Sequence, residues 1–133
     1  MTEKCPCGSG ESYELCCGKY HTGKSVPETA EQLMRSRYSA YVMKLADYIV
    51  DTTHPKKRQP MLRDELLSNF ENVQWIRLEI VRTSLGKAHD KTGKVEFKAF
   101  YIAGGTDQVL HELSRFKKHS GRWFYFDGVF EPE

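Results

Sequence analysis

At 133 residues the chain has room for one globular domain and a small appendage, and excludes two full domains. With 39% hydrophobic, 12% aromatic and 29% charged residues it has the makeup of a folded chain and excludes wholesale disorder. The net formal charge is only +2, no run of about eighteen apolar residues is present to span a membrane, and no apolar stretch near Met1 reads as a secretory signal, so a cytoplasmic protein without a membrane partner is expected.

The first segment carries the strongest chemical signal. All four cysteines, Cys5, Cys7, Cys16 and Cys17, fall within the first seventeen residues. Such bunching suits a metal site better than a disulfide framework, and cytoplasmic thiols stay reduced and available to a metal. Gly8 and Gly10 let the chain turn after Cys7. Ser9 reads as an N-cap, and one helical turn over Glu11 to Leu15 brings Cys16 and Cys17 back to the first pair. Four thiolates at this spacing satisfy a closed tetrahedral zinc shell, which makes the zinc structural, with no position open to substrate. Metal binding then supplies the folding free energy that so short a segment cannot draw from apolar burial. His21 is the competing fourth ligand, should Cys17 point away. A divalent ion on four thiolates cancels the formal positive excess, and the one compact basic run, Lys56-Lys57-Arg58 between Pro55 and Pro60, reads as a solvated loop; nucleic acid is not expected.

The run Cys5-Pro6-Cys7-Gly8-Ser9-Gly10 closing on Cys16-Cys17 resembles the SEC-C motif, the zinc hook at the C-terminus of the SecA translocation motor. Cys17 stands at a position that is often His in that motif. The resemblance implies a docking device for a protein partner, so residues 1–24 are assigned to a zinc hook and 25–133 to a second unit.

After a joint at Thr22 to Val26, Ser25 and Glu28 read as a capping box with Pro27 in the first turn. The helix they open runs over roughly Pro27 to Lys44, with Leu33, Met34, Tyr38 and Tyr41 recurring at helical spacing. Arg37 lies at the edge of that face beside Ala30, Met34 and Tyr41, where a buried cation needs a partner, whereas Arg35 points nearer to solvent. A short helix from Ala46 to about Thr53 ends at His54-Pro55, and Met61, Leu62, Leu66, Leu67 and Phe70 mark a third that ends around Asn72. Strands follow over Trp75 to Thr83, with Ile76, Leu78 and Ile80 on one face, then Lys94 to Ala103, Val109 to Lys118 and Arg122 to Gly128. Three helices followed by about four hairpin-linked strands define an α+β fold: a curved antiparallel sheet packed on N-terminal helices, cone-shaped and cystatin-like, similar to ketosteroid isomerase and nuclear transport factor folds. That architecture serves many functions and by itself licenses none.

Alternation places Leu110, Glu112, Ser114 and Phe116 on one face of the third strand, and Trp123, Tyr125 and Asp127 on one face of the last. Turned toward the helices, Glu112, Ser114, Tyr125 and Asp127 meet Arg37 and Tyr41 in a candidate pocket for a small polar ligand or a general base. The plainer reading is that Arg37 forms an ion pair with Glu112 or Asp127 and no chemistry is attached. His54 and His111 have no strong catalytic claim. No hydrolase elbow, Rossmann fingerprint or P-loop is present. The aromatic residues Trp75, Trp123, Phe124, Tyr125 and Phe126 read as core and not as a base-stacking surface.

Together with the hook, Leu33-Met34-Arg35-Ser36-Arg37-Tyr38, Asp47-Tyr48, His54-Pro55, Val95-Glu96-Phe97, Glu112-Leu113-Ser114-Arg115-Phe116 and Trp123-Phe124-Tyr125-Phe126-Asp127-Gly128 resemble the YchJ family over almost the whole length. The resemblance implies a SEC-C hook joined to a cone-shaped domain and brings no established chemistry. Many relatives carry a second, C-terminal hook; no cysteine follows Gly128 here, so two-handed docking is not expected. The expected role is a zinc-binding, cytoplasmic adaptor that docks a protein partner through its hook. The alternative is a small-molecule enzyme of lyase or isomerase type, with Glu112 or Asp127 as base and Arg37 steadying negative charge. Between the two, enzyme status stays open at this stage.

Overall fold

The computed structural model describes residues 3–130. The chain opens with a loop closed by an isolated antiparallel bridge between Lys4 and Ser12, followed by a 3₁₀ turn at Tyr13–Leu15 and helix α1 (Cys17–His21). Helices α2 (Ala30–Val42), α3 (Ala46–Asp51) and α4 (Leu62–Phe70) come next, with a second 3₁₀ turn at Pro55–Lys57 after α3. Strands β1 (Val73–Leu85), β2 (Thr92–Ala103), β3 (Thr106–His119) and β4 (Arg122–Phe130) form one antiparallel sheet in the order β1-β2-β3-β4. This is the expected α+β arrangement, with one helix more than expected because the hook contributes α1.

The apolar stripe of α2 dictates the packing. Ala30, Leu33, Met34 and Tyr38 lie against Val95, Phe97 and Ala99 of β2, Phe116 of β3 and Trp123 of β4. The Trp123 indole N–H is satisfied by the Glu28 carbonyl at 3.0 Å, so its ring enters the core without an unpaired donor. A second apolar cluster, Ala40, Ala46, Ile49, Leu66 and Phe70, joins α2, α3 and α4. Helix α2 starts later than the Ser25–Glu28 box predicts. Thr29 is extended and accepts from the Gln32 N–H at 3.1 Å, while the Gln32 side chain accepts from the Glu28 N–H at 2.7 Å. This pair satisfies two N–H groups at the helix entrance, and the extended joint accordingly runs on through Glu28.

Register shifts change which residues face the helices. In β1 the pairs Trp75↔Tyr101 and Arg77↔Phe100 leave Ile76 as an extra residue, and a second shift skips Val81. Trp75, Leu78 and Ile80 therefore pack on the core while Ile76 is 50% exposed, against the alternation expected for it. In β4, Phe116↔Tyr125 and Arg115↔Asp127 leave Phe126 unpaired. At the same place the segment leaving α3 joins the strand: the His54 N–H donates to the Tyr125 carbonyl and the Tyr125 N–H to the Thr52 carbonyl, both at 2.8 Å.

Thr29→Ala is expected to cost about 1 kcal/mol in urea unfolding of the metal-loaded protein, and Ser25→Ala less than about 0.5 kcal/mol. Equal losses from the two would place the cap back at Ser25.

Candidate metal centre and cone pocket

The Sγ atoms of Cys5, Cys7, Cys16 and Cys17 all lie within 4.8 Å of one another, with Cys7 and Cys16 at 3.6 Å. A tetrahedron with metal–sulfur bonds of about 2.3 Å has edges of about 3.8 Å, so the four sulfurs stand at metal-holding spacing. All four cysteines are free of disulfides; Cys5, Cys7 and Cys17 are buried and Cys16 is half-buried. The Cys5 thiol is pushed far down, first by a hydrogen bond from Cys17 and then by one from Cys7. Cys17 is pushed far up by its bonds to Cys5 and Cys7 and then by burial, and Cys16 rises to about 11, chiefly through burial. Thiols packed this closely compete for one another's protons. A divalent cation relieves that pattern by replacing the shared protons.

Local sequence builds this cluster. Ser9 does not cap a helix; its Oγ accepts from the Glu11 N–H at 3.2 Å and reaches Cys16 Sγ at 3.1 Å. Gly18 allows α1 to close on the 3₁₀ turn, because a Cβ there would stand 2.7 Å from the Tyr13 carbonyl oxygen. His21 turns toward the cone. Its Nε2–H donates to the Ser36 carbonyl at 2.8 Å and its Nδ1 accepts from the Tyr13 hydroxyl at 2.6 Å, so both nitrogens are engaged and burial holds the ring neutral.

Helix α2 grips the hook from the other side. Arg35 Nη1 donates to the Cys7 carbonyl at 2.8 Å and lies 4.0 Å from Cys7 Sγ, while its Nε bonds Glu31 at 3.0 Å. Ser39 Oγ lies 3.4 Å from Cys5 Sγ. Arg35 is half-buried and nearer to solvent than the buried Arg37, as expected; its engagement with the hook is the new feature, since periodicity within α2 says nothing about a hook that packs on the helix from elsewhere in the chain. The i, i+4 spacing of Arg35 and Ser39 on one face is the signal that points to it.

Inside the cone the structure brings Arg37, Tyr41, Glu112, Ser114 and Tyr125 around one cavity of about 110 Å³, with apolar walls that include Trp75, Phe97 and Leu110. The Glu112 carboxylate, 8% exposed, accepts from the Ser114 hydroxyl and from the Tyr125 hydroxyl at 3.1 Å. It lies over Gly128, where a Cβ would come within 2.8 Å of its Cδ. Arg37, 6% exposed, donates through Nη1 to the Ile49 carbonyl at 3.0 Å, Thr52 Oγ1 at 2.8 Å and Thr53 Oγ1 at 3.3 Å. Its guanidinium lies 4.5 Å from the centre of the Tyr125 ring. Burial pulls its pKa down, but a guanidinium stays protonated at ordinary pH. Burial, followed by the Glu112 charge, raises the Tyr125 hydroxyl, which keeps it a neutral donor. Among the described residues Arg37 forms an ion pair with neither Glu112 nor Asp127.

Asp127 does not belong to this pocket. The extra residue Phe126 reverses the alternation of β4, so Tyr125 faces inward and Asp127 outward, where both its oxygens accept from Arg115 and Lys57 approaches to 3.9 Å. Arg115 holds that carboxyl below the usual range. His111 also faces outward, bonded through Nε2 to Glu96 at 2.7 Å, and His54 accepts from the Lys56 N–H at 3.1 Å. Neither histidine lines the cavity. No helix among the described residues is long and apolar enough to cross a membrane.

These two features, a cysteine hook and a cone with an inner cavity, define a protein that joins a SEC-C motif to an NTF2-like domain. Residues 1–19 match the SEC-C motif, and residues 29–128 match the family described as YchJ, middle NTF2-like domain. UPF0225 protein YchJ of Shigella dysenteriae serotype 1 is 43% identical over 129 residues, spanning 97% of this chain and 84% of its own. A UPF0225 protein of Vibrio parahaemolyticus is 41% identical over 133 residues, spanning 100% of this chain and 78% of its own. The solution structure of a SEC-C motif containing protein from Rhodopseudomonas palustris superposes with a TM-score of 0.87 at 37% identity, covering 96% of this chain and 98% of that one. The chain belongs to the YchJ family.

Cys17→Ser is expected to abolish retention of a bound divalent metal through gel filtration, and His21→Gln to retain it. Metal retention is expected to fall as pH falls, because protons compete for the thiolates. Metal content of each variant across a pH series checks both, and metal loss in His21→Gln alone would reverse the ligand assignment.

Proposed function

We propose that this chain is a zinc-stabilised binding protein whose cone holds a small polar ligand between Arg37 and Glu112. The observation that carries the reading is a pair of opposite, buried charges that line one cavity without touching each other. Deleting one partner of a buried ion pair costs about 3–5 kcal/mol because the other charge is left uncompensated, and that cost is avoided here because each group has its own partners, Arg37 at the end of α3 and Glu112 at Ser114 and Tyr125. A ligand with an acidic group for Arg37 and a donor for Glu112 completes the set. The cavity of about 110 Å³ limits it to a few heavy atoms. If proton transfer follows binding, Glu112 is the base and Arg37 steadies the anion, the chemistry of a lyase or isomerase.

In the hook, four thiolates at tetrahedral spacing favour zinc, and a closed shell makes it structural. The purified protein is expected to carry about one zinc per chain and to lose thermal stability when a chelator removes it. A second reading, docking of a protein partner through the hook, is favoured by Leu15, 70% exposed on the 3₁₀ turn and away from α2. Partners lost on Leu15→Glu at unchanged metal content are the expected result; capture by the variant identical to that by wild type overturns this reading.

The cone reading is tested by thermal unfolding of the metal-loaded protein against a panel of small carboxylic and hydroxycarboxylic acids. A ligand present at 100 times its dissociation constant adds about 2.7 kcal/mol. That gain is expected to vanish in Glu112→Gln and in Gly128→Ala, whose methyl displaces the carboxylate. No stabilising member of the panel, or a gain that survives both substitutions, sinks the proposal.

A further inference from the structure

The basic loop Lys56-Lys57-Arg58 does not stand alone in solvent. It lands on the outer face of β3 and β4, where Lys57 Nζ sits 4.7 Å and Lys117 Nζ 3.8 Å from the centre of the Phe126 ring, with the Arg115 guanidinium at 5.6 Å. His54, which leads into the loop, packs 5.3 Å from His119, 6.2 Å from Phe124 and 5.2 Å from Phe126, ring centre to ring centre. Arg58 and Arg122 continue this surface into a cleft of about 490 Å³ between α1 and the cone, which Phe124 and Tyr20 also line. Arg58 is held in place by its bonds to the Asp51 and Thr53 carbonyls, both at 3.0 Å.

Three separate segments thus contribute Lys56, Lys57, Arg58, Arg115, Lys117 and Arg122 to one face. Among the described residues, the carboxylates met there include Asp127, taken up by Arg115 and Lys57, Asp51 at the cleft, and Glu28 and Glu11, whose charges reach Tyr20. In a chain whose net formal charge is only +2, this is a clustered positive footprint. His54 registers it: after burial, the causes that push its pKa down are His119, Lys56, Lys117 and Arg58. Of the aromatic run Trp123 to Phe126, Trp123 and Tyr125 face the core, and Phe124 and Phe126 emerge half-buried on the basic face.

We propose that this face binds single-stranded nucleic acid, with phosphates on the cations and bases against Phe124 and Tyr20 at the cleft. A single phosphate has no use for cations spread over three segments, and the exposed apolar residues near this face, Val26 at the cleft and Val129 on β4, stand apart and do not form the contiguous apolar anchor that a lipid surface needs. A flexible strand matches both the spread of charge and the concave, ring-lined cleft, since stacking and backbone neutralisation together serve single strands.

The test is fluorescence anisotropy with the full-length, metal-loaded protein and a labelled strand of about 16 nucleotides. The duplex of the same sequence, polyglutamate and phosphatidylglycerol vesicles serve as competitors. Binding is expected to weaken with salt at a log–log slope of about −3, as for about four neutralised phosphates on a single strand. The double variant Lys57→Glu/Lys117→Glu is expected to lose at least about tenfold in affinity at unchanged melting temperature, a loss on the scale of one strong contact. Lys44→Glu/Arg63→Glu, just past α2 and on α4, away from this face, is expected to lose little, and Phe124→Leu to weaken the single strand more than the duplex. Absence of binding at micromolar protein, equal loss from the Lys44→Glu/Arg63→Glu pair, or competition by polyglutamate or vesicles as effective as unlabelled strand overturns the proposal.

Discussion

A guanidinium in a protein interior has to be solvated by the protein itself, and Arg37 imposes that requirement on everything around it. Its Nη1 collects the Ile49 carbonyl and the hydroxyls of Thr52 and Thr53, the end of α3 and the residues that leave it. Helix ends leave carbonyls unpaired and favour a nearby cation, so the charge and the terminus stabilise each other. This contact sets where α3 stops and which way the chain departs. The departing segment pairs with β4 at Tyr125, and the Tyr125 ring in turn covers the guanidinium. The pocket wall, the sheet edge and the helix terminus are one arrangement around one charge.

Helix α2 performs two jobs on two sides. Arg35 and Arg37 are two residues apart, which at helical spacing sends their side chains to nearly opposite sides. The first holds the hook through the Cys7 carbonyl, and the second organises the cone. The hook is therefore fastened to the element that also carries the pocket's cation. Whatever binds or leaves the hook therefore acts on a partner of α2 and not merely on a remote appendage.

Much of this was legible from residue order. The cysteine cluster, three of the cone's helices and all four strands follow from spacing and alternation, and Glu112, Ser114 and Tyr125 follow from period two on β3 and on the first half of β4. What could not be read has a common physical cause. Bulges at Ile76 and Phe126 insert one residue each, and nothing in the local composition distinguishes a bulge from regular strand, so the facing of Ile76 and Asp127 came out reversed. Arg35 lies nearer to solvent than Arg37, as expected, but its contact with the hook could not be read because the partner lies 28 residues away in the chain. The basic face escaped notice for the same reason: only the fold brings Lys117 and Arg122 beside the 56–58 loop. The capping box was displaced because Ser25-Glu28 and Thr29-Gln32 are both acceptable pairs, and only the backbone decides between them.

Thr53 and His54 are neighbours in the chain, yet Thr53 bonds Arg37 at the cone cavity while His54 packs among the rings of the outer face. Both are anchored to Tyr125 by the same short bridge. The two surfaces are separated by little more than the thickness of one extended strand. A ligand on one side that favoured a tighter or looser bridge would, by thermodynamic linkage, change affinity on the other side by the same factor in both directions. The Thr53–Tyr125 bridge is the short connection between the wall of the cone cavity and the outer aromatic face.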